Sequence, residues 1–265
     1  MTNYKHITLE IDERGVAMVG MNRPEVHNAF DAALIAELTA VFGELEKNDA
    51  VRLALLFGHG KSFCAGGDVN WMRSMKNFSH EENVSDSQDL AAMYARLRYF
   101  KKPLIGMVHG AALGGGSGLA AVCDFVLATE DATFGFTETR LGILPAVISP
   151  YAIEKIGVSA ARAYFISGMK FSADIAKEIG LVHRVVDTDT LLLSRAELIE
   201  EFLKAAPLAS CSAKKLVDDM VALQGDREKQ TALSVNAIAD ARIGAEGQEG
   251  MDALLTKRSP TWVQL

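Results

Sequence analysis

Gly114-Gly115-Gly116, followed by Ser117-Gly118, interrupts an apolar stretch that runs from Leu104 to Ala128. Glycine in a helix interior costs about 1 kcal/mol relative to alanine, so one continuous helix through this run is disfavoured. Gly106, Gly110, Gly114 and Gly118 do recur at the four-residue spacing that membrane helix pairs use. Asp124 within the stretch argues against a span. A buried strand over 104–109, a glycine turn and a buried helix account for the pattern better. Such a turn lets a ligand approach the main chain closely, and the helix start beyond it presents unpaired N–H donors with a partial positive charge. The run therefore reads as an anion-binding corner.

A chain of 265 residues can bury a sizeable core. With 34 acidic against 27 basic residues the net charge is −7, and the pI is about 5.4. Bulk attraction to nucleic acid or to an anionic membrane is not expected. Cys64, Cys123 and Cys211 are an odd, widely spaced set. They suggest neither a disulfide framework nor a Cys-x-x-Cys metal site, and they fit a reducing cytoplasm. Met1 to Asp12 lacks the apolar core of a secretory signal, so export is not expected.

Alternating or apolar runs at Ile7–Ile11 and Val16–Met21 around Asp12-Glu13-Arg14-Gly15 predict a hairpin. Leu34, Ile35, Leu38, Val41, Phe42 and Leu45 fall at helical spacing and predict an amphipathic helix over 31–47. A strand is expected over 51–57, a helix from 68 to 75, a mobile polar segment over 76–87 and a helix over 88–99. Strands are expected again at 104–109 and 125–128. After a loop over 135–149 the pattern turns mainly helical, with segments at 172–180, 190–206 and 209–223. Strands alternating with helices, then a helical tail, predict an α/β core over 1–190 and a C-terminal helical region over 191–265. A charged amphipathic tail of this kind often packs on a neighbouring subunit.

Several familiar motifs fail on inspection. Gly60-Lys61-Ser62 lacks the earlier glycine of a phosphate-binding loop, because position 55 is Leu55. The glycine run lacks the spacing of a dinucleotide site, and Ser117 lacks the second glycine of a nucleophile elbow. The six histidines show no metal-ligand spacing. His27 and His109 could lie near a ligand or serve the structure. A second corner, Ser62-Phe63-Cys64-Ala65-Gly66-Gly67-Asp68, has the same strand-to-helix design as the first. If the N–H groups of Gly67 and Gly115 face one oxygen, they form an oxyanion hole; otherwise both corners are tight turns.

These residues resemble the crotonase superfamily of enoyl-CoA hydratases and isomerases along most of the chain. The resemblance lies in Asn22-Arg23-Pro24-Glu25 with Asn28-Ala29-Phe30, in Phe63-Cys64-Ala65-Gly66-Gly67-Asp68, and in His109-Gly110-Ala111-Ala112-Leu113-Gly114-Gly115-Gly116. It extends to Phe134-Gly135-Phe136-Thr137-Glu138 with Leu141-Gly142-Ile143-Leu144-Pro145. It implies a spiral of ββα units with a helical C-terminal region serving as a trimerisation element, in trimers that commonly pair into hexamers. It also implies an acyl-CoA substrate and no separate cofactor, since coenzyme A is part of the substrate. By matching positions, Gly67 and Gly115 would bind the thioester oxygen. Ala65, Gly66, Asp68 and Val69 would line the CoA site with Gly114 nearby, and Val26 and Ala29 would border the pantetheine and adenine portions.

Typical hydratases of this family use two glutamates. This chain matches one, Glu138, while the other falls at Gly118. Glu138 is expected to act as general base and acid, placing water at C3 and returning a proton to C2. Gly118 is expected to enlarge the pocket and remove a negative charge, favouring a bulkier or acidic acyl group. Gly67-Asp68-Val69-Asn70-Trp71-Met72 and Leu144-Pro145-Ala146-Val147-Ile148-Ser149-Pro150 resemble the branch that hydrates 3-methylglutaconyl-CoA in leucine breakdown. A related branch takes isohexenylglutaconyl-CoA in acyclic terpene breakdown. Arg140 or Arg73 could bind the distal carboxylate of such a substrate. Double-bond isomerisation with one carboxylate, or a noncatalytic RNA-binding or scaffold role, remain the alternatives.

Overall fold

A computed structural model describes residues 4–263. The first residues of the stretch read for an export signal, 1–3, lie outside the described residues, as do 264 and 265. The chain separates into two compact units. One runs to Arg195 without Lys101–Pro103; the other comprises those three residues and the chain from Ala196 onward.

The first unit opens with the expected hairpin, β1 (Ile7–Ile11) and β2 (Val16–Met21), paired antiparallel from Ile7 opposite Met21 to Ile11 opposite Ala17. Gly15 closes its turn at φ +83°, and the Asp12 carboxylate accepts from the Val16 N–H at 2.9 Å. Helix α1 (Ala32–Lys47) starts at Asp31, whose side chain accepts from the Leu34 N–H at 2.8 Å. The six residues predicted for its apolar face are all buried.

Four parallel additions extend β2 into a six-stranded sheet in the order β1-β2-β3-β4-β6-β9. They are β3 (Leu53–Gly58), β4 (Leu104–Val108), β6 (Phe125–Thr129) and β9 (Arg184–Val186). Strands buried on both faces read as continuous apolar runs, which is why β3 and β4 were legible. A smaller sheet holds β5 (Ala111–Leu113), β7 (Thr133–Gly135) and β8 (Lys170–Ser172), each three residues long. None of these three was predicted, because alternation needs about four residues to show.

The spiral is visible in how the chain alternates between ladders. After β4 the chain enters the small sheet through β5 and then forms α4 (Gly115–Val122); after β6 it does so through β7 and leads on to α5 (Ser149–Ser167). The earlier turns touch the same kind of ladder through single bridges, Phe30 with Gly67 and Cys64 with Ala112. The architecture is α/β, a crotonase-like spiral of ββα units with helices at the C-terminal end.

The segment expected to be mobile, 76–87, is instead mostly helix. Helix α3 spans His80–Arg98, eight residues longer at its start than its apolar periodicity indicated. Its origin is a capping box: Ser79 Oγ accepts from the Glu82 N–H at 3.1 Å, and the Glu82 carboxylate accepts from the Ser79 N–H at 2.7 Å. The first turns are exposed, so no apolar stripe marks them. Helix α2 (Val69–Met75) precedes it. Helix α5 is broken at Gly157, at φ +73°.

The apolar stretch 104–128 resolves into β4, β5, α4 and β6, and no described helix is long and apolar enough to cross a membrane. After α5 the chain forms α6 (Ala173–Glu178) and α7 (Leu191–Leu203), and the second unit contains α8 (Pro207–Ala222), α9 (Arg227–Ile243) and α10 (Ala245–Leu255). Glu246 caps α8 by accepting from the Leu208 and Ala209 N–H groups at 2.9 and 2.8 Å. Arg258 pairs with Glu249 and Asp252, both at 2.6 Å.

Candidate active site

The two glycine corners lie side by side. Cys64 donates its N–H to the Ala111 carbonyl and accepts from the Leu113 N–H, both at 3.0 Å. Gly67 and Gly115 each stand three residues beyond the bridged pair Cys64 and Ala112, so the corners are in register. Side chains are excluded where they cross. A Cβ on Gly116 would lie 2.1 Å from the Cys64 carbonyl oxygen, and one on Gly66 would lie 3.0 Å from that of Leu113. The surrounding main-chain bonds leave the Gly67 and Gly115 amides without a protein acceptor among the described residues. Gly115 is the first residue of α4, whose opening N–H groups have no partner within the helix.

Glu138 begins a 3-10 turn (Glu138–Leu141) directly after β7. The Gly114 N–H donates to the Gly135 carbonyl at 2.7 Å, which draws this segment against the first corner. A Cβ built on Gly114 would stand 3.2 Å from Glu138 Oε1. Glu138 Oε2 is buried and has no hydrogen-bond partner among the described residues. Burial pushes the carboxyl above its ordinary value, its own amide pulling weakly the other way. A desolvated carboxylate beside the Gly114–Gly115 corner suits proton transfer next to a developing oxyanion.

Gly118 does not enlarge the pocket. A Cβ there would lie 2.5 Å from Ile148 Cγ2 and 3.0 Å from the Tyr94 hydroxyl. Ile148 and Tyr94 are buried and occupy the space that a longer residue would need. The expectation of spare volume is therefore corrected, and Gly118 itself is buried. Tyr94, on α3, donates its hydroxyl to the Gly115 carbonyl at 2.7 Å. Burial first, then Cys64 and Glu138 nearby, raises its pKa well above the usual phenol value, so it stays protonated.

The remaining predicted positions fall into two groups. Val26, in the 3-10 turn Pro24–Val26, and Ala65, in the second corner, are half-buried; Ala29 and Gly66 are buried, and Val69, the first residue of α2, is exposed. Asp68 turns inward: it caps α2 through the Asn70 N–H at 2.7 Å and pairs with Arg23 at 2.9 Å. Its burial raises its pKa, but the Asn70 amide and Arg23 outweigh that and hold the carboxyl below its ordinary value. Its side chain therefore organises the corner rather than lining a ligand surface. Arg23 also pairs with Asp31 at 2.9 Å and donates to the Ala29 carbonyl at 2.5 Å, so it ties the Asn22-Arg23-Pro24 turn to both neighbours. The motif contains Arg23, but its buried pairing with Asp68 and Asp31 carries no sequence signal; removing one partner of such a pair costs about 3–5 kcal/mol.

Arg140 is exposed, with Nε donating to the Ser167 carbonyl at 3.3 Å. Arg73 is exposed on α2 and donates to Asn70 at 3.2 Å. His27 is paired with Ser62 Oγ at 3.0 Å, and His109 Nε2 with the Gly60 carbonyl at 2.9 Å. The Cys64 thiol is pushed up to about 12 by burial, which leaves it inert as a nucleophile.

Residues 12–264 match the family model described as enoyl-CoA hydratase/isomerase. A 2,3-dehydroadipyl-CoA hydratase of Escherichia coli is 33% identical over 253 residues, covering 94% of this chain and 95% of the relative. Among solved structures, Pseudomonas aeruginosa AtuE is 34% identical with a TM-score of 0.93, over 98% of this chain and all of the other (100%). An enoyl-CoA hydratase from Shewanella pealeana is 35% identical with a TM-score of 0.92, over 97% and 96%. The chain belongs to the enoyl-CoA hydratase/isomerase family of the crotonase superfamily, and is a hydratase-type carbon–oxygen lyase acting on an acyl-CoA thioester.

Proposed function

We propose that the protein adds water across the 2,3 double bond of a 3-substituted glutaconyl-CoA, either 3-methylglutaconyl-CoA or isohexenylglutaconyl-CoA. The observation that carries the chemistry is the buried, unpartnered Glu138 Oε2 beside the Gly114-Gly115 corner. Ionised Glu138 accepts a proton from water as the oxygen bonds to C3. The C2–C3 electron pair moves onto the thioester as an enolate, whose oxygen receives the Gly67 and Gly115 N–H groups. The proton held by Glu138 then returns to C2. One such backbone donor is worth about 2.7–4 kcal/mol in the barrier.

Coenzyme A enters as part of the substrate, bordered by Val26, Ala29, Ala65, Gly66 and Val69, and no further cofactor is needed. The choice of acyl group rests on charge and on the segments 67–72 and 144–150. Glycine rather than glutamate at 118 leaves one carboxylate fewer at the corner, so a second carboxylate on the substrate meets less repulsion. Arg140, two residues past Glu138, is the proposed partner of that distal carboxylate. The assembly is a homotrimer or a homohexamer.

Mass-resolved turnover of 3-methylglutaconyl-CoA, isohexenylglutaconyl-CoA and crotonyl-CoA by the purified protein tests the reading. Preferential gain of one water by either glutaconyl thioester is expected. Crotonyl-CoA hydration alone would make the enzyme a general hydratase. Rearrangement without mass gain would make it an isomerase, and no reaction at all would favour a noncatalytic role.

A further inference from the structure

Phe30 touches both glycine corners. Its N–H donates to the Gly66 carbonyl at 2.7 Å and its carbonyl accepts from the Asp68 N–H at 2.8 Å, so its backbone brackets Gly67 on either side. The Gly67 N–H lies on the edge that Phe30 leaves unused. The ring of the same residue reaches the other corner, where a Cβ on Gly115 would lie 2.7 Å from Phe30 Cε2. Tyr94 completes the brace. Its ring meets that of Phe30 edge-on, with centroids 6.3 Å apart at 71°, and its hydroxyl donates to the Gly115 carbonyl at 2.7 Å. Both side chains are fully buried in the close-packed core, where small displacements are resisted.

We infer that the Phe30–Tyr94 pair fixes the separation and aim of the Gly67 and Gly115 N–H groups, making these two side chains positioning residues for the reaction. The inference rests on the acyl-CoA reading above. Neither side chain needs to touch substrate. Phe30 locks one donor through main-chain bonds and abuts the other through its ring, and Tyr94 holds the carbonyl of the Gly115–Gly116 peptide, which shares the Gly115 Cα with the peptide that carries the donor N–H. Displacing a donor by about 1 Å can cost about a hundredfold in rate while leaving remote binding contacts alone.

The test uses the full-length protein and two readouts, steady-state turnover and an optical titration with an aromatic enoyl-CoA. The absorption of that probe moves to longer wavelength when its thioester oxygen is polarised. Tyr94→Phe keeps the ring against Phe30 and removes only the hydroxyl. We expect kcat on the preferred acyl-CoA to fall about tenfold or more with KM within about twofold, and the red shift of the bound probe to shrink by about half. A Tyr94→Phe protein with wild-type kcat and the full red shift overturns the inference. If that variant does not fold, Phe30→Leu decides in its place: a lowered kcat and reduced shift at unchanged KM support the inference, and wild-type values overturn it. A wild-type protein that turns over no acyl-CoA and does not shift the probe overturns the reading itself and the inference with it.

Discussion

Glu138 combines burial with an oxygen that no donor among the described residues reaches, and the burial raises its pKa. The folded state then binds this proton more tightly than the unfolded chain does. Stability falls as pH rises from the ordinary carboxylate range through the raised folded value, because the buried group must ionise there. Glu138→Gln is expected to flatten that part of the curve and to lower the hydration rate by about 10²–10⁴-fold. Denaturant midpoints between about pH 4 and pH 8, together with a hydration assay, check both. Full activity in the variant would remove Glu138 from the proton transfers. Gly118 shows the same local dependence in reverse. A missing side chain suggests spare room only until its neighbours are known, and Ile148 and Tyr94 fill that room.

At the scale of elements, α3 shows how a start signal can outweigh weak periodicity. Residues 80–87 carry no apolar stripe, yet the reciprocal bonds of Ser79 and Glu82 begin the helix there. Ser79→Ala is expected to destabilise the protein by about 1 kcal/mol and to speed amide exchange over 80–87. Unchanged protection in that segment would mean that packing rather than the cap sets its start. The consequence reaches the site, because Tyr94 and its hydrogen bond to Gly115 sit on the later turns of this helix. The three-residue strands β5, β7 and β8 act comparably. They are too short to read in the sequence, but β5 and β7 deliver Gly114 and Glu138 to the same corner.

For the whole molecule, the helices of the second unit leave Leu208, Val217, Ile243, Leu254 and Leu255 more than half exposed. Apolar side chains in such number usually mark a contact surface. Sedimentation is expected to give a mass three or six times that of the 28.6 kDa chain, lowered by the double variant Leu254→Asp and Leu255→Asp. A wild-type monomer would end the trimer reading. By itself the sequence determined the hairpin, α1, β3, β4, β6, the two glycine corners and the family. Each of these depends on local periodicity, on turn chemistry or on an ordered set of motifs, all of which neighbouring residues encode. Only the tertiary structure decided that Asp68 faces Arg23, that Phe30 and Tyr94 brace both corners, and that Ile148 closes the space at Gly118. These pairs lie tens of residues apart, and their contacts depend on distances between packed elements that no single segment of the chain specifies.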